Sequence, residues 1–333
     1  MWFYNLMGFH ERDSKHVHEN IEVIGNRLRS KVNGQSYVFG SLSTPSLGEL
    51  RKLSPSPDDF DAKLKLSEVV GNVQALHCDE ASNGAFFQAA SQFNLLEMVG
   101  PDVSPERGVD VYEHDLTQGP ACAIACGAGT IFRNYFADVN GQKGQTSENQ
   151  IDCLKTIGEE FDNNKLGLWH MSNGYALATS QGLRHICKIL DGMSKNEYER
   201  LKGLLQIGVQ ADTQVTLKNS SNFVSQAYCA ALPIAYTNIG LSLWEPFARL
   251  ILEATYEATL YAALINYTKT KNNSVYLTLV GGGVFGNKID WILDAIQKAC
   301  LLFSMTPLDV RIVSYGNSNP DVKNFVDTFN QTH

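Results

Sequence analysis

Residues 275–299 read VYLTLVGGGVFGNKIDWILDAIQKA, a strand, a glycine-rich turn and a helix in that order. Val275 to Val280 form a continuous apolar, partly β-branched run, as expected of a strand covered on both faces. Beyond the turn, Ile289, Ile292, Leu293, Ile296, Ala299 and Phe303 recur on one helical face. Asn287 is the expected N-cap, with Asp290 in the first turn. Consecutive glycines cost backbone entropy that packing does not return. Here they let N–H groups turn inward beside a positive helix end, which makes an anion site suited to phosphate. The string Gly281-x-Gly283-x-x-Gly286 also matches the dinucleotide fingerprint. That motif opens its unit, with several strands still to come, whereas only 47 residues follow Gly286. No Walker lysine follows. The competing reading is a glycine connection without a ligand.

Outward from this unit, strands alternate with helices, which predicts a mostly parallel sheet covered on both faces. Residues 84–93 read as a buried strand, and so do LLQIGVQADTQV, VSQAYCAALPIAY, DVRIVSYG and, between two helices, NGYALA. Helices are expected over 147–163, 180–202 and 319–330. A further helix opens at Ser242, with Glu245 at capping-box spacing, and its apolar positions recur through Asn266. Trp244, Phe247, Ile251 and Ala254 on that helix read as core. GPACAIACGAGTIFRNYF starts a helix near Pro120. Residues 1–66 are polar and mixed, and read as an arm wrapping a body formed by 67–333.

Composition excludes several classes. A net charge of −8 and a pI near 5.5 offer no basic stripe for nucleic acid or a membrane surface. No apolar run approaches the roughly 20 residues of a membrane helix. Met1–Phe9 is apolar but short, lacks a basic leader and does not read as a signal peptide. Seven scattered cysteines without a C-x-x-C pair fit reduced thiols in a cytoplasmic compartment. The four N-x-S/T sequons, at Asn219, Asn266, Asn272 and Asn330, then read as chance. His16-x-His18 is the one close histidine pair, so no zinc site is expected. No G-x-S-x-G elbow marks a serine hydrolase.

The stretch from Asn94, NLLEMVGPDVSPERGVDVYEHDLTQGP, carries Glu97, Asp102, Glu106, Asp110, Glu113 and Asp115 against Arg107 and His114. It follows a strand and precedes a helix, so its tip belongs at the carboxyl edge of the sheet, where α/β proteins place ligands. A loop this long is usually functional or disordered. Carboxylates beside a phosphate site suit a ligand with a cationic end. Guanidinium is the cation they hold best, and carboxylates also serve glycoside hydrolysis. The bland alternative is a solvated acidic surface.

These residues also carry a resemblance. The order LTLVGGGVFGN, WILDAIQKA, DVRIVSYG resembles the last third of a macrodomain. FFQAASQFN is similar in placing to the strand leading into the macrodomain's first ligand loop. DLTQGPACAIACGAGTIFRNYF with GQT and NQID resembles the MavL-type subgroup, over nearly the whole chain. The resemblance implies a three-layer α/β fold with a central, mostly parallel mixed sheet and an N-terminal extension. It implies ADP-ribose as ligand, no cofactor, and removal of ADP-ribose from arginine side chains of modified proteins. The usual NAAN run and first catalytic loop are absent, and the early segment Gly71–Val73 lacks the aspartate often found near the adenine. The glycine turn then holds the diphosphate, while Asp102, Asp110 and Asp115 gather at the distal ribose as catalytic residues. Gln88, Asn94, Thr117, Gln118, Gly281, Gly282, Gly283, Val284, Phe285, Gly286, Asn287 and Tyr315 are the expected ligand contacts. For Gln88, Gln118 and Gln226 a satisfied buried amide is an equal expectation. A non-catalytic reader of ADP-ribose and a phosphatase of its phosphate esters are the alternative functions.

Overall fold

The computed structural model describes residues 1–332. Seven strands form the central sheet: β1 (Ser41–Ser43), β2 (Lys65–Val70), β3 (Phe86–Ala90), β4 (Gly208–Gln214), β5 (Phe223–Cys229), β6 (Ser274–Leu277) and β7 (Asp309–Ser314). Their spatial order is β1-β4-β5-β3-β6-β7-β2. The five strands from β5 to β2 are parallel, and β4 and β1 complete one edge antiparallel. The helices that matter for the site are α1 (Trp2–Met7), α2 (Val73–Cys78), α3 (Gln118–Ala125), α4 (Gly127–Tyr135), α5 (Leu241–Thr270), α6 (Ile289–Leu302) and α7 (Pro320–Thr332).

Strand alternation assigns the layers. On β3, Phe87 stacks on His77 of α2, while its neighbour Gln88 faces the other way and donates to Thr259 of α5. On β5, Gln226 donates to the Cys122 carbonyl of α3, and Ser225 donates to Asn266 of α5. Helices α2 and α3 therefore cover one face and α5 the other. This is the three-layer, mostly parallel mixed sheet that the alternation of elements predicts. The aromatic run Trp244, Phe247, Ile251 and Ala254 is wholly buried in the α5 layer.

Several local expectations differ. Helix α5 starts at Leu241 behind Gly240, without a side-chain cap. Ser242 therefore lies inside the first turn, and Glu245 is drawn to Arg249 one turn on, at 2.8 Å. Lys288, not Asn287, caps α6, because the Asn287 amide is used to hold the glycine turn. Of residues 147–163, only Lys155–Glu160 and the start of Asn163–Leu166 are helical. The strand in NGYALA, Tyr175–Ala178, pairs with Trp169–Ser172 in a separate hairpin outside the central sheet.

The first 66 residues are more than a polar arm. They supply β1 and the start of β2. Phe3, Met7, Phe9, Val17, Ile21 and Leu28 are buried in a second core together with Leu96, Met98, Tyr112 and Ile131. This core lies between the arm, the acidic loop and helices α3 and α4, so the arm braces the loop from behind. The loop itself is ordered by two short 3-10 turns, Pro105–Arg107 and Asp110–His114.

Candidate functional site

Two adjoining cavities of about 790 Å³ and 270 Å³ share Asp115, Thr117, Gln118, Thr278 and Leu279, and so form one cleft. The cleft crosses the carboxyl ends of β3, β6 and β7, as expected for a parallel α/β sheet. Its size falls in the range of small-molecule sites.

The glycine turn lines the smaller cavity, just beyond Thr278 and Leu279, which both cavities share. Gly281 and Gly286 have φ of 77° and 76°, the left-handed region that glycine reaches at little cost. A Cβ on Gly281 would lie 2.5 Å from the Ala231 side chain, so the turn also needs its close approach. Asn287 donates to the Leu232 and Gly281 carbonyls, at 2.9 and 3.3 Å, and clamps both ends of the turn. Tyr256 of α5 fixes its start, donating to Thr278 O and accepting from the Val280 N–H. Gly281, Gly283, Val284 and Phe285 line the cleft, and Gly283 faces open space.

The smaller cavity is one end of the cleft. Phe285, Tyr175 and Tyr236 pack there with ring centroids 5.1–5.7 Å apart. Two acids join them, Glu97 and Asp115. Glu97 is 4% exposed, and its Oε1 has no hydrogen-bond partner among the described residues. Burial holds its carboxyl well above the usual range; the Arg133 charge opposes this and the Asp115 charge adds to it. Gly119 makes room for it, since a Cβ there would collide with Ala90 O and with Glu97 Oε2. Arg133 is fully buried, with its guanidinium 3.5 Å over the Tyr228 ring and its Nε donating to Leu95 O. Asp115 Oδ1 accepts from the Thr117 N–H at 2.8 Å, which turns the chain into α3. Gln118 continues the edge of β3, accepting from Ala90 N and donating to Gln88 O.

The larger cavity is lined by Gly71–Val73 on one side and by Val313, Ser314 and Tyr315 on another. Trp2, Ile124 and Leu217 give it an apolar wall.

Of the expected ligand contacts, Thr117, Gln118, Gly281, Gly283, Val284, Phe285 and Tyr315 line the cleft. Gly282, Gly286 and Asn287 shape the turn from outside the lining. Gln88 and Asn94 do not reach the wall. Gln88 spends its amide on Thr259 and on the Thr278 N–H, and Asn94 spends its own on Gln150 and on Leu96 N. Of the three expected catalytic acids, Asp115 alone lines the cleft. Asp102 is exposed just past the rim residue Val99. Asp110 lies behind the loop, its side chain 3.6 Å from Arg107 and its N–H bound to Glu11 at 2.6 Å. Glu97 was legible as one acid among six but not as a cleft residue. Its signal is its setting: a lone carboxylate inside the apolar run of Leu95, Leu96 and Met98.

No family model and no curated protein matches the chain. Among solved structures, it is similar to a poly(ADP-ribose) glycohydrolase from Deinococcus radiodurans in complex with ADP-ribose, at 11% identity and a TM-score of 0.44, over 87% of this chain and 92% of that one. It is similar to the poly(ADP-ribose) glycohydrolase of Thermomonospora curvata bound to the inhibitor ADP-HPD, at 9% identity and a TM-score of 0.44, over 96% of each chain. A macrodomain variant from Oceanobacillus iheyensis gives 14% identity and a TM-score of 0.37, over 88% of this chain and 97% of that one. Likeness of this size assigns no chemistry.

Proposed function

We propose that the chain is an ADP-ribosyl hydrolase of the macrodomain type that releases ADP-ribose from arginine side chains, as the MavL-type resemblance implies. The observation that carries this reading is the pair of acids, Glu97 and Asp115, in the same small cavity as the glycine turn, which makes that cavity the distal end of the site. The glycine turn suits the diphosphate, because backbone donors and a helix N-terminus converge on it. The reacting ribose and the guanidino group then reach the two acids. Asp115 stabilises positive charge at the anomeric carbon and holds the guanidinium. Glu97, whose protonated form burial favours, donates a hydrogen bond to the ribose or its leaving group.

The reaction is a hydrolysis. The bond between the anomeric carbon and the guanidino nitrogen breaks, and its electron pair goes to nitrogen. Water adds to the anomeric carbon, and its released proton returns to the guanidine. The aromatic side chains of Tyr175, Tyr236 and Phe285 add faces on which a delocalised cation rests. Asp102, past the rim, belongs to the modified protein's side of the cleft. Asp110 acts through the loop it helps to hold.

Incubation with arginine- and serine-ADP-ribosylated peptides tests the reading. Release from arginine alone is expected, because only that linkage presents a guanidinium. Equal release from both defeats the guanidinium argument. Binding of ADP-ribose without release identifies a reader, and release of phosphate from ADP-ribose phosphate esters identifies a phosphatase.

A further inference from the structure

Residue 2 belongs to a segment that reads in sequence as a peripheral arm, yet it lines the larger cavity of the cleft. Its position is built from several sides. The Trp2 indole N–H donates to Val109 O at 3.2 Å, and the Trp2 backbone N–H donates to Glu113 Oε2 at 3.0 Å. Phe3 packs against the ring edge-on, with centroids 5.9 Å apart. Helix α4 begins with a glycine at the point of contact: a Cβ on Gly127 would stand 2.7 Å from the indole. A side chain so fixed, and still lining a cavity, has lost its rotamer freedom before any ligand arrives.

The remaining wall tells what ligand group suits it. Ile124 and Leu217 line the cavity with Trp2 and carry no charge, while the acids in its lining, Glu113 and Asp115, disfavour an anionic group. Tyr315, 78% exposed, presents a flat ring from the end of β7. The side chain of Asn72 uses its oxygen to cap α2, at Gln74 N and Ala75 N. That of Gln74 is bound to Ala121 O. An apolar wall with two aromatic rings takes a flat, uncharged heteroaromatic ring. On the functional reading above, the group at this end is the nucleobase of ADP-ribose, because the diphosphate is held at the glycine turn.

We propose that Trp2 is a ligand-binding residue of the adenosine end, so that the N-terminal helix is part of the site and selects for the base. This rests on the functional reading, and it extends it to a segment that neither the glycine turn nor the acidic loop implicates. The same two hydrogen bonds tie Trp2 to Val109 and Glu113, within the loop that ends at Asp115. The base-binding side chain and the distal acid therefore hang from one stretch of backbone.

Calorimetry on the full chain tests this with three probes: ADP-ribose, AMP and ribose 5-phosphate. Trp2→Ala should weaken ADP-ribose and AMP by a similar factor, roughly tenfold from the loss of one base–aromatic contact. Ribose 5-phosphate, which has no base, should bind as it does to the parent. Trp2→Phe should recover most of the loss and guards against a variant whose arm has come loose. Unchanged ADP-ribose affinity in Trp2→Ala overturns the proposal while leaving the functional reading standing. Equal losses for all three probes also overturn it, since the indole would then merely support the loop. Tighter binding in Trp2→Ala would mean that the indole obstructs the cleft, and this too overturns the proposal. A parent chain that binds no ADP-ribose removes the functional reading and this proposal together.

Discussion

The hydroxyl of Tyr112 accepts the backbone N–H of Glu97 at 2.9 Å. Fifteen residues separate the two in sequence, and the bond ties the start of the acidic loop to its end. Tyr112 is 1% exposed and lies in the core shared with the N-terminal arm. Tyr112→Phe keeps the ring and leaves the Glu97 N–H buried without a partner. Such a group costs about 1–3 kcal/mol. Urea unfolding should show a stability loss of that size, and arginine-linked ADP-ribose should be released more slowly because Glu97 is less firmly placed. A variant as stable and as fast as the parent would show that the bond does not hold the loop.

The two acids are separable by amide substitutions, which keep the shape of each side chain. Asp115→Asn removes a charge and should lower the single-turnover rate roughly 10²–10³-fold, the usual effect of losing one well-placed group at a developing charge; Glu97→Gln keeps a neutral hydrogen-bond donor and should cost less. ADP-ribose affinity should move much less, because the contacts at the glycine turn remain. Asp102→Asn should raise KM for a modified protein more than it lowers kcat. Asp110→Asn should show itself in stability, given its place behind the loop beside Arg107. Parent-like rates in both Asp115→Asn and Glu97→Gln would reduce the distal end to an acidic surface and favour a reader.

Much of this was legible in the sequence, for identifiable reasons. The unit from β6 to α6 announces itself because its apolar periods are local. The glycine turn is legible because glycine is used where other residues are strained. Asp115, Thr117 and Gln118 are legible because they lead into and open a helix at the carboxyl edge. Asp102 and Asp110 carry the same charge as Asp115, and composition alone cannot rank them. The ranking depends on the 3-10 turn Asp110–His114, which leaves Asp110 behind the loop while Tyr112, Glu113 and then Asp115 line the cleft. Gln88 and Asn94 have polar side chains next to the ligand edge, but the demand of buried backbone groups such as Thr278 N and Leu96 N claims them first. Trp2 reaches the cleft through a contact between the ends of a 107-residue separation, its bond to Val109, which no local pattern records.

The glycine turn gives a pair of opposite results. Gly283 faces open space, so Gly283→Glu should fold as the parent does while placing a negative charge and a bulky chain where the diphosphate is expected. ADP-ribose affinity should fall steeply, with unfolding unchanged. Gly281→Ala should do the reverse first. Its φ of 77° and the 2.5 Å approach to Ala231 make any Cβ strained, at about 1–2 kcal/mol from the backbone alone. Calorimetry and urea unfolding on the two variants distinguish a ligand loop from a merely tight connection. Undiminished affinity in Gly283→Glu would remove the phosphate assignment.

Glu11 links the arm to the loop in a way that depends on pH. Its Oε1 accepts from Tyr135 Oη at 2.7 Å and its Oε2 from the Asp110 N–H at 2.6 Å. Burial nevertheless raises its carboxyl from the ordinary 4.5 to about 7, against those hydrogen bonds and with a smaller contribution from the Asp110 charge. The charged and titratable groups around it include Tyr135, Tyr112, Asp110 and, through Asp110, Arg107. Between these two values the folded chain holds a proton that the unfolded chain has released. The stabilisation from protonated Glu11 is therefore complete below about 4.5 and is lost as the pH rises through about 7. Glu11→Gln removes the titration and keeps the size of the side chain. The stability difference, parent minus variant, should decline across this window and level off above it, as read from urea midpoints at a series of pH values. A difference that stays flat or grows with pH would mean that Glu11 is ionised throughout and that hydrogen bonding, rather than burial, governs it.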